Sequence, residues 1–454
     1  MKYVSTRGTA PALDFGDVLL RGLASDGGLY VPDEWPRLDA PVPSGYADAA
    51  SHLMWPYVEG SIDRSAFDAM VSDSYATFDH PDVCPLVPLD DDVWLLELFH
   101  GPTFSFKDVA LQLVGRLFDH ELTKRDERAT IIVATSGDTG SAAIHAALGR
   151  ERIDVVVLHP AGRVSDIQRR QMTTVDAPNV HNVAIDGTFD DCQDLVKAMF
   201  ADDAFRAAVG QAAMNSINWA RVMAQTVYYR TTTEKLGPCG FAVPTGNFGN
   251  VFSAWVARTT GAPIAELVIG SNTNDILARW LETGVLEMRE VVATTSPAMD
   301  IQVSSNHERL LFELFDRDGV AVAEAMQEFR SEGRVDLGST RAAAVTETFA
   351  GTRLDDGEVA AVIADVAAST GIVVDPHTAV GVGAARAARR RNDVPMVCVS
   401  TAHPAKFGDA VEAATGSAPE LPAALAATLD LPEHCTSLPN DLATVQSFIR
   451  SAIT

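Results

Sequence analysis

Thr130-Ile131-Ile132-Val133-Ala134-Thr135-Ser136-Gly137-Asp138-Thr139-Gly140 decides the fold. Thr130–Thr135 is short, apolar and β-branched, the pattern of a buried strand. Hydroxyl residues and glycines follow, and a helical pattern then runs through Ala142–Leu148. A strand that turns through a small polar loop directly into a helix is half of a βαβ unit, and the same rhythm extends on both sides. Upstream, Val93–Leu98 reads as a strand and Val109–Leu122 as a helix. Downstream come the strand Val155–Leu158, the helix Ser165–Thr174, the strand Val180–Ile185 and the helix Asp190–Phe200. The pattern resumes with the long helix Trp219–Leu236, the strand Phe241–Pro244 and a helix from Asn250, with later strands at Ile264–Ile269, Ile372–Val374 and Val394–Val399. This alternation predicts an α/β fold of parallel or mixed sheets flanked by helices.

Residues 1–90 have a different texture, with helical patterns near Tyr46–Tyr57 and Arg64–Thr77 and prolines between. They read as a mainly helical N-terminal domain. Residues 91–430 form the α/β region, divided into two interleaved subdomains with the smaller within about 100–225, and 431–454 read as a C-terminal tail. The acidic, glycine-bearing stretch Gly333–Gly357 reads as a surface excursion, and Asp90-Asp91-Asp92 as a solvated turn.

The chain carries a formal net charge of −26 over 454 residues. Such acidity repels polyphosphate and anionic surfaces, which excludes nucleic acid and membrane as partners but not a small anion held by local donors. Five scattered cysteines without a C-x-x-C pair indicate neither a disulfide framework nor a zinc site, so no metal is expected. The first residues lack an apolar signal core and no run is long enough to span a bilayer. A cytoplasmic protein is the expectation.

In an open parallel sheet, ligands sit beyond the carboxyl ends of the strands. One residue near such an end is unusual. The chain has only six lysines, and Lys107 lies in His100-Gly101-Pro102-Thr103-Phe104-Ser105-Phe106-Lys107-Asp108, ahead of an apolar helical run. Desolvation favours the neutral amine, which can attack an aldehyde and form a Schiff base. The alternative is a lysine whose stem lies on apolar surface while its head reaches water. Ser136 and Thr139 open a helix whose free N–H groups favour an anion, although ordinary capping would use the same residue types. Pro244-Thr245-Gly246-Asn247-Phe248-Gly249-Asn250 follows another strand. It suits a phosphate held by backbone amides, or simply a tight strand-to-helix turn, and it lacks the lysine of a P-loop. Thr401 follows a third strand and can offer one hydroxyl to a bound ring, while His403 and Lys406 read as structural or phosphate-side residues. Asn215-Ser216-Ile217-Asn218-Trp219-Ala220-Arg221 combines amides, a hydroxyl and a guanidinium at a helix start, which suits a phosphate or carboxylate; a capped helix with a solvated arginine is the plainer reading.

Together these motifs resemble the threonine synthases, pyridoxal-phosphate enzymes of fold type II related to tryptophan synthase β. The resemblance covers nearly the whole chain, from Lys2-Tyr3-Val4-Ser5-Thr6-Arg7-Gly8 and Asp26-Gly27-Gly28-Leu29-Tyr30 to Thr401-Ala402-His403-Pro404-Ala405-Lys406-Phe407, and is most specific to the microbial and fungal branch. It implies that Lys107 binds the cofactor and then shuttles protons. It implies that Gly246, Asn247, Phe248, Gly249 and Asn250 cradle the cofactor phosphate and that Thr401 bonds the pyridine nitrogen. Ser136 and Thr139 would meet the substrate, and Asn215, Ser216 and Arg221 would bind the substrate phosphate. Asp138 departs from the asparagine common in many relatives of this fold type, though it matches this branch, and a carboxylate there would repel the cofactor's ring oxygen if both were ionised.

The implied reaction converts O-phospho-L-homoserine and water into L-threonine and phosphate, by a monomer or small homo-oligomer. Sister enzymes such as threonine dehydratase, cysteine synthase and cystathionine β-synthase need one phosphate site, whereas this sequence offers two. A nucleotide-binding or regulatory module without catalysis is the alternative of a different class.

Overall fold

The computed structural model describes residues 1–453. Two sheets organise it. The larger has six strands in the order Phe349–Arg353, Ile264–Ser271, Cys239–Pro244, Met396–Ser400, Val93–Glu97 and Leu86–Asp90. All pairs are parallel except the last, where Leu86–Asp90 folds back on Val93–Glu97 through the exposed Asp90-Asp91-Asp92 turn. The smaller sheet has five strands, all parallel, in the order Thr436–Pro439, Val180–Asp186, Ile153–Pro160, Ala129–Ala134 and Gln211–Ala212.

Strand periodicity of two explains how both sheets bury both faces. Phe241, Val243, Leu267, Ile269, Val397 and Val399 point into the large central core, while Ala242, Val268 and Cys398, alternating with them, point into a second core under the helix Pro376–Ala388. In the smaller sheet Ile131, Val133, Val155 and Val157 join the central core, and Ile132, Val156 and Leu158 face a separate one. The central core is therefore shared by the two sheets. The helices Lys107–Arg125 and Trp219–Leu236 run through it, apolar on most of their circumference as buried helices are. Gly115 allows Lys107–Arg125 to lie against the helix Asp138–Ala147, since a Cβ there would stand 2.1 Å from the Ala146 carbonyl oxygen.

Four segments differ from their sequence reading. Ile372–Val374 is not a strand; Pro376 keeps the residues before it extended but the run ends at Asp375, which caps the next helix by accepting from the His377 and Thr378 amides. Within Gly333–Gly357, Phe349–Arg353 is an edge strand of the larger sheet. The first 90 residues supply three helices, Phe15–Arg21, Tyr46–Val58 and Arg64–Tyr75, but also an antiparallel pair, Tyr3–Ser5 with Tyr30–Pro32, and the edge strand Leu86–Asp90. Of the segment read as a tail, residues 431–453 are more than that: Thr436–Pro439 pairs with Val180–Asp186, and the helix Leu442–Ala452 buries Val445 and Ile449 against the outer core of the smaller sheet. Among the described residues no helix is long and apolar enough to cross a membrane.

Because Ile449 is fully buried in that core, Ile449→Ala is expected to cost about 2–5 kcal/mol. Thermal unfolding followed by circular dichroism checks this; an unchanged midpoint would show that the C-terminal helix is an appendage.

Candidate active site

The carboxyl ends of four parallel strands converge on one cavity of about 300 Å³. Ala129–Ala134 runs into Thr135–Thr139, Cys239–Pro244 into Thr245–Asn250, and Met396–Ser400 into Thr401. Val93–Glu97 leads through a loop to Phe106 and Lys107. The cavity wall includes Lys107, Ser136, Thr139, Asn215, Ser216, Arg221, Thr401 and all of Gly246–Asn250. Every residue singled out for binding from the sequence therefore lies on the same wall. His403 and Lys406 do not: His403 packs edge-on to Phe99 and Phe104, and Lys406 pairs with Asp138.

Lys107 begins its helix, held by a short bridge between loops: the Phe106 amide donates to the Thr401 carbonyl at 2.8 Å. Its side chain is 9% exposed. Lys107 Nζ lies 3.2 Å from Asp138 Oδ2, and Lys406 Nζ lies 2.9 Å from Asp138 Oδ1. Gln168 Nε2 donates to Asp138 Oδ1 at 2.9 Å, and Lys406 Nζ also donates to the Thr103 carbonyl at 2.6 Å. Burial, reinforced by the cations of Lys406 and Arg221, holds the Lys107 ammonium below its ordinary range against the pull of Asp138. For Asp138 burial works upward, but the two ammoniums and the Gln168 amide prevail and keep it well below the usual carboxylate range.

The loop Thr245–Gly249 is built for close approach. A Cβ on Gly246 would stand 2.7 Å from the Ala298 carbonyl oxygen. Phe248 adopts the left-handed conformation, φ +64°, which costs an aromatic residue about 1–3 kcal/mol and is held here by edge-on contact with His307. The helix Gly249–Thr259 starts there with no side chain capping it, so its first amides point free at the cavity. Asn250 Oδ1 accepts from the hydroxyls of Tyr228 and Tyr229, while its Nδ2 is buried without a partner.

Arg221, from the first turn of Trp219–Leu236, forms the opposite kind of anion site. It is 5% exposed, makes no ion pair among the described residues, and leaves Nε buried without a partner. Burial alone pulls its guanidinium down to about 10. A cation in this state has a place prepared for an anion.

Several supporting residues escaped the sequence reading. Asn306 Nδ2 donates to the Ser216 and Asn247 carbonyls at 3.1 and 3.0 Å, locking the two anion-facing loops together. Arg309, fully buried, bonds Asn306 and donates to the Tyr30 and Ile217 carbonyls. Asp375 orients His377, whose Nε2 accepts from the Ala298 amide at 3.3 Å. Of these only Asp375 left a local signal, an acidic cap followed by proline. Phe189 and Gln193, one helical turn apart on Phe189–Ala201, extend the wall from the smaller sheet's side.

Three family models match the chain: threonine synthase N terminus over residues 2–75, pyridoxal-phosphate dependent enzyme over 81–346, and threonine synthase, C-terminal, over 378–449. The chain is 49% identical to a threonine synthase of Pseudomonas aeruginosa, over 99% of this chain and 98% of that one. It is 42% identical to a threonine synthase of Corynebacterium glutamicum, over 100% and 99%. A crystal structure of pyridoxal-phosphate-bound threonine synthase from Brucella melitensis shares 49% identity, with a TM-score of 0.97 over 100% of this chain and 99% of that one.

His307, wedged behind Phe248 and stacked edge-on to Trp280, is held down to about 3 by burial. Its folded state binds a proton less readily than the unfolded chain, so the stability it contributes is present above pH 6.5 and is lost as pH falls toward 3. Thermal midpoints measured between those limits are expected to fall with pH, and less steeply in His307→Phe; parallel curves for the two proteins would refute this role.

Proposed function

The chain belongs to the threonine synthase family and is a pyridoxal-phosphate enzyme, and we propose that the cavity around Lys107 is where O-phospho-L-homoserine and water become L-threonine and phosphate. The observation that carries this assignment is the pairing of two independent anion sites on one cavity wall: the uncapped helix start at Gly249 and the unpaired guanidinium of Arg221. The reaction needs both, one for the cofactor phosphate and one for the substrate phosphate.

The residues present fit pyridoxal phosphate. Gly246, Asn247, Phe248, Gly249 and Asn250 offer backbone amides in a cradle too tight for a side chain at Gly246, with the unpaired Asn250 Nδ2 beside it. We assign the cofactor phosphate to that cradle, its ring nitrogen to the Thr401 hydroxyl and its reactive carbon to Lys107. When bound, the cofactor supplies an electron sink for the charge left as protons depart from Cα and Cβ.

The chain's own groups do the rest. Lys107 Nζ, buried and below its ordinary proton affinity, takes the Cα proton and carries it within the site. Ser136 and Thr139 meet the amino-acid end of the substrate, where the start of Asp138–Ala147 favours a carboxylate. Asn215, Ser216 and Arg221 hold the phosphate monoester and neutralise the charge that grows as the Cγ–O bond breaks. Water then adds at Cβ. The burial of these groups keeps bulk solvent from intercepting the intermediate stages. We infer a cytoplasmic enzyme, a monomer or small homo-oligomer, and the strongly acidic composition disfavours nucleic acid and anionic membrane as its partners.

Incubation of cofactor-loaded protein with O-phospho-L-homoserine is expected to release threonine and phosphate in equal amounts; a 2-oxo acid instead would move the reaction to a sister enzyme. Arg221→Met is expected to raise the KM for O-phospho-L-homoserine by about 10- to 100-fold, the loss of hydrogen bonds to a charged group. An unchanged KM would remove Arg221 from the substrate site.

A further inference from the structure

One carboxylate, Asp138, faces two ammoniums in a place almost without water: Asp138 is 8% exposed, Lys107 7% and Lys406 1%. With both lysines protonated and Asp138 ionised, the trio holds one excess positive charge, which a dry interior penalises. The trio sheds it by losing one proton. The two lysines are not equal candidates. Lys406 Nζ has two oxygen acceptors, Asp138 Oδ1 at 2.9 Å and the Thr103 carbonyl at 2.6 Å. Lys107 Nζ has one, Asp138 Oδ2 at 3.2 Å, and otherwise lies over the Phe106 ring at 4.9 Å. The ammonium form is better served at Lys406.

We propose that Lys406 is a positioning residue for the reaction: it takes Asp138 as a permanent counterion, so that Lys107 can give up its proton and work as an amine. The proposal rests on the reading that Lys107 is the cofactor-binding lysine. When the proton leaves Lys107, the Asp138 carboxylate remains paired with Lys406 and no buried charge is stranded. Without Lys406, the same deprotonation would strand Asp138, and Lys107 would keep its proton. The pairing also answers the difficulty of a carboxylate at this position, because a carboxylate already neutralised by Lys406 does not repel an oxygen of the cofactor ring. The other ionisable groups facing the trio are Arg221, which opposes protonation of Lys107, and Asp108, His145 and His403, which feel Lys406. Asp300 and His377 stand further along the cavity wall.

The test follows covalent capture of pyridoxal 5'-phosphate by cofactor-stripped protein as a function of pH. The neutral amine adds to the aldehyde carbon, a C=N bond forms and one water leaves; borohydride fixes the product and peptide mass spectrometry locates it. The ionisable groups of free pyridoxal 5'-phosphate titrate identically in every experiment, so shifts between variants belong to the protein. Lys406→Gln is expected to raise the pH midpoint of capture by about one unit or more, and Asp138→Asn to lower it by a similar amount. Lys406→Arg, which keeps the charge, is expected to stay near the parent value. Unmoved midpoints, or shifts in the same direction for Lys406→Gln and Asp138→Asn, would overturn the proposal. Should Lys406→Gln fail to fold, Asp138→Asn decides alone, and a midpoint that does not fall refutes it. A label on a lysine other than Lys107 would instead overturn the underlying assignment of the cofactor site.

Discussion

The burial of positive charge is the constraint on which the rest of this structure depends. Lys107, Lys406, Arg221 and Arg309 are all nearly removed from water, and each would cost several kcal/mol unpartnered. The fold answers each one differently. Lys107 and Lys406 share Asp138, and Arg309 spends its donors on backbone carbonyls and Asn306. Arg221 alone is left waiting. The second sheet, the loop bridges and the Asn306 lock serve to keep these arrangements fixed, so that the unsatisfied cation of these four, among the described residues, is the one an incoming anion meets. A chain of net charge −26 thus encloses a cavity wall on which one guanidinium, Arg221, makes no ion pair among the described residues. The acidic exterior and that buried guanidinium belong to different length scales, since surface fields are screened within about 10 Å while buried pairs are not.

Much of this was legible in the chain because the information was local. A β-branched run followed by a small polar loop marks a strand end, and in a parallel sheet strand ends converge; that is why Thr135–Thr139, Gly246–Asn250 and Thr401 meet although they are far apart in sequence. Lys107 announced itself by its apolar neighbours. What was not legible depended on partners chosen across the fold. Lys406 lies three residues after His403 in sequence and looks no more consequential, yet it reaches Asp138 and His403 does not. Asn306 and Arg309 sit in an unremarked helix start, and their roles come from the carbonyls that the N-terminal region and the Ser216 loop bring to them. The same holds for strands: Phe349–Arg353 and Thr436–Pro439 are short, flanked by polar residues, and become strands only because an edge is available to pair with. Ile372–Val374 has strand-like residues but no such edge.

The family assignment and the physics reach the same cavity by separate routes. Motif resemblance points to residues; burial and unmet hydrogen bonds point to places where something is missing. Asn250 and Arg221 satisfy both criteria, whereas Asp138 is buried but fully partnered and departs from the pattern of the wider fold type. Departures of this kind are informative because a buried carboxylate has to be balanced somewhere, and its partner can be found by following charge.

The order of strands in the larger sheet carries a different consequence, for the chain as it is made. Met396–Ser400 lies between Cys239–Pro244 and Val93–Glu97 and joins the two halves of that sheet. It is also the last of the six to leave the ribosome. Until it arrives, two edges with unpaired amides and carbonyls remain open, and Thr401 has nowhere to stand. Such long-range closure is slow and leaves the nascent protein exposed to wrong pairings. Biogenesis of this enzyme is therefore governed by its centre: the keystone strand is the last of the larger sheet to be made, and the cavity around Lys107 comes into being with it.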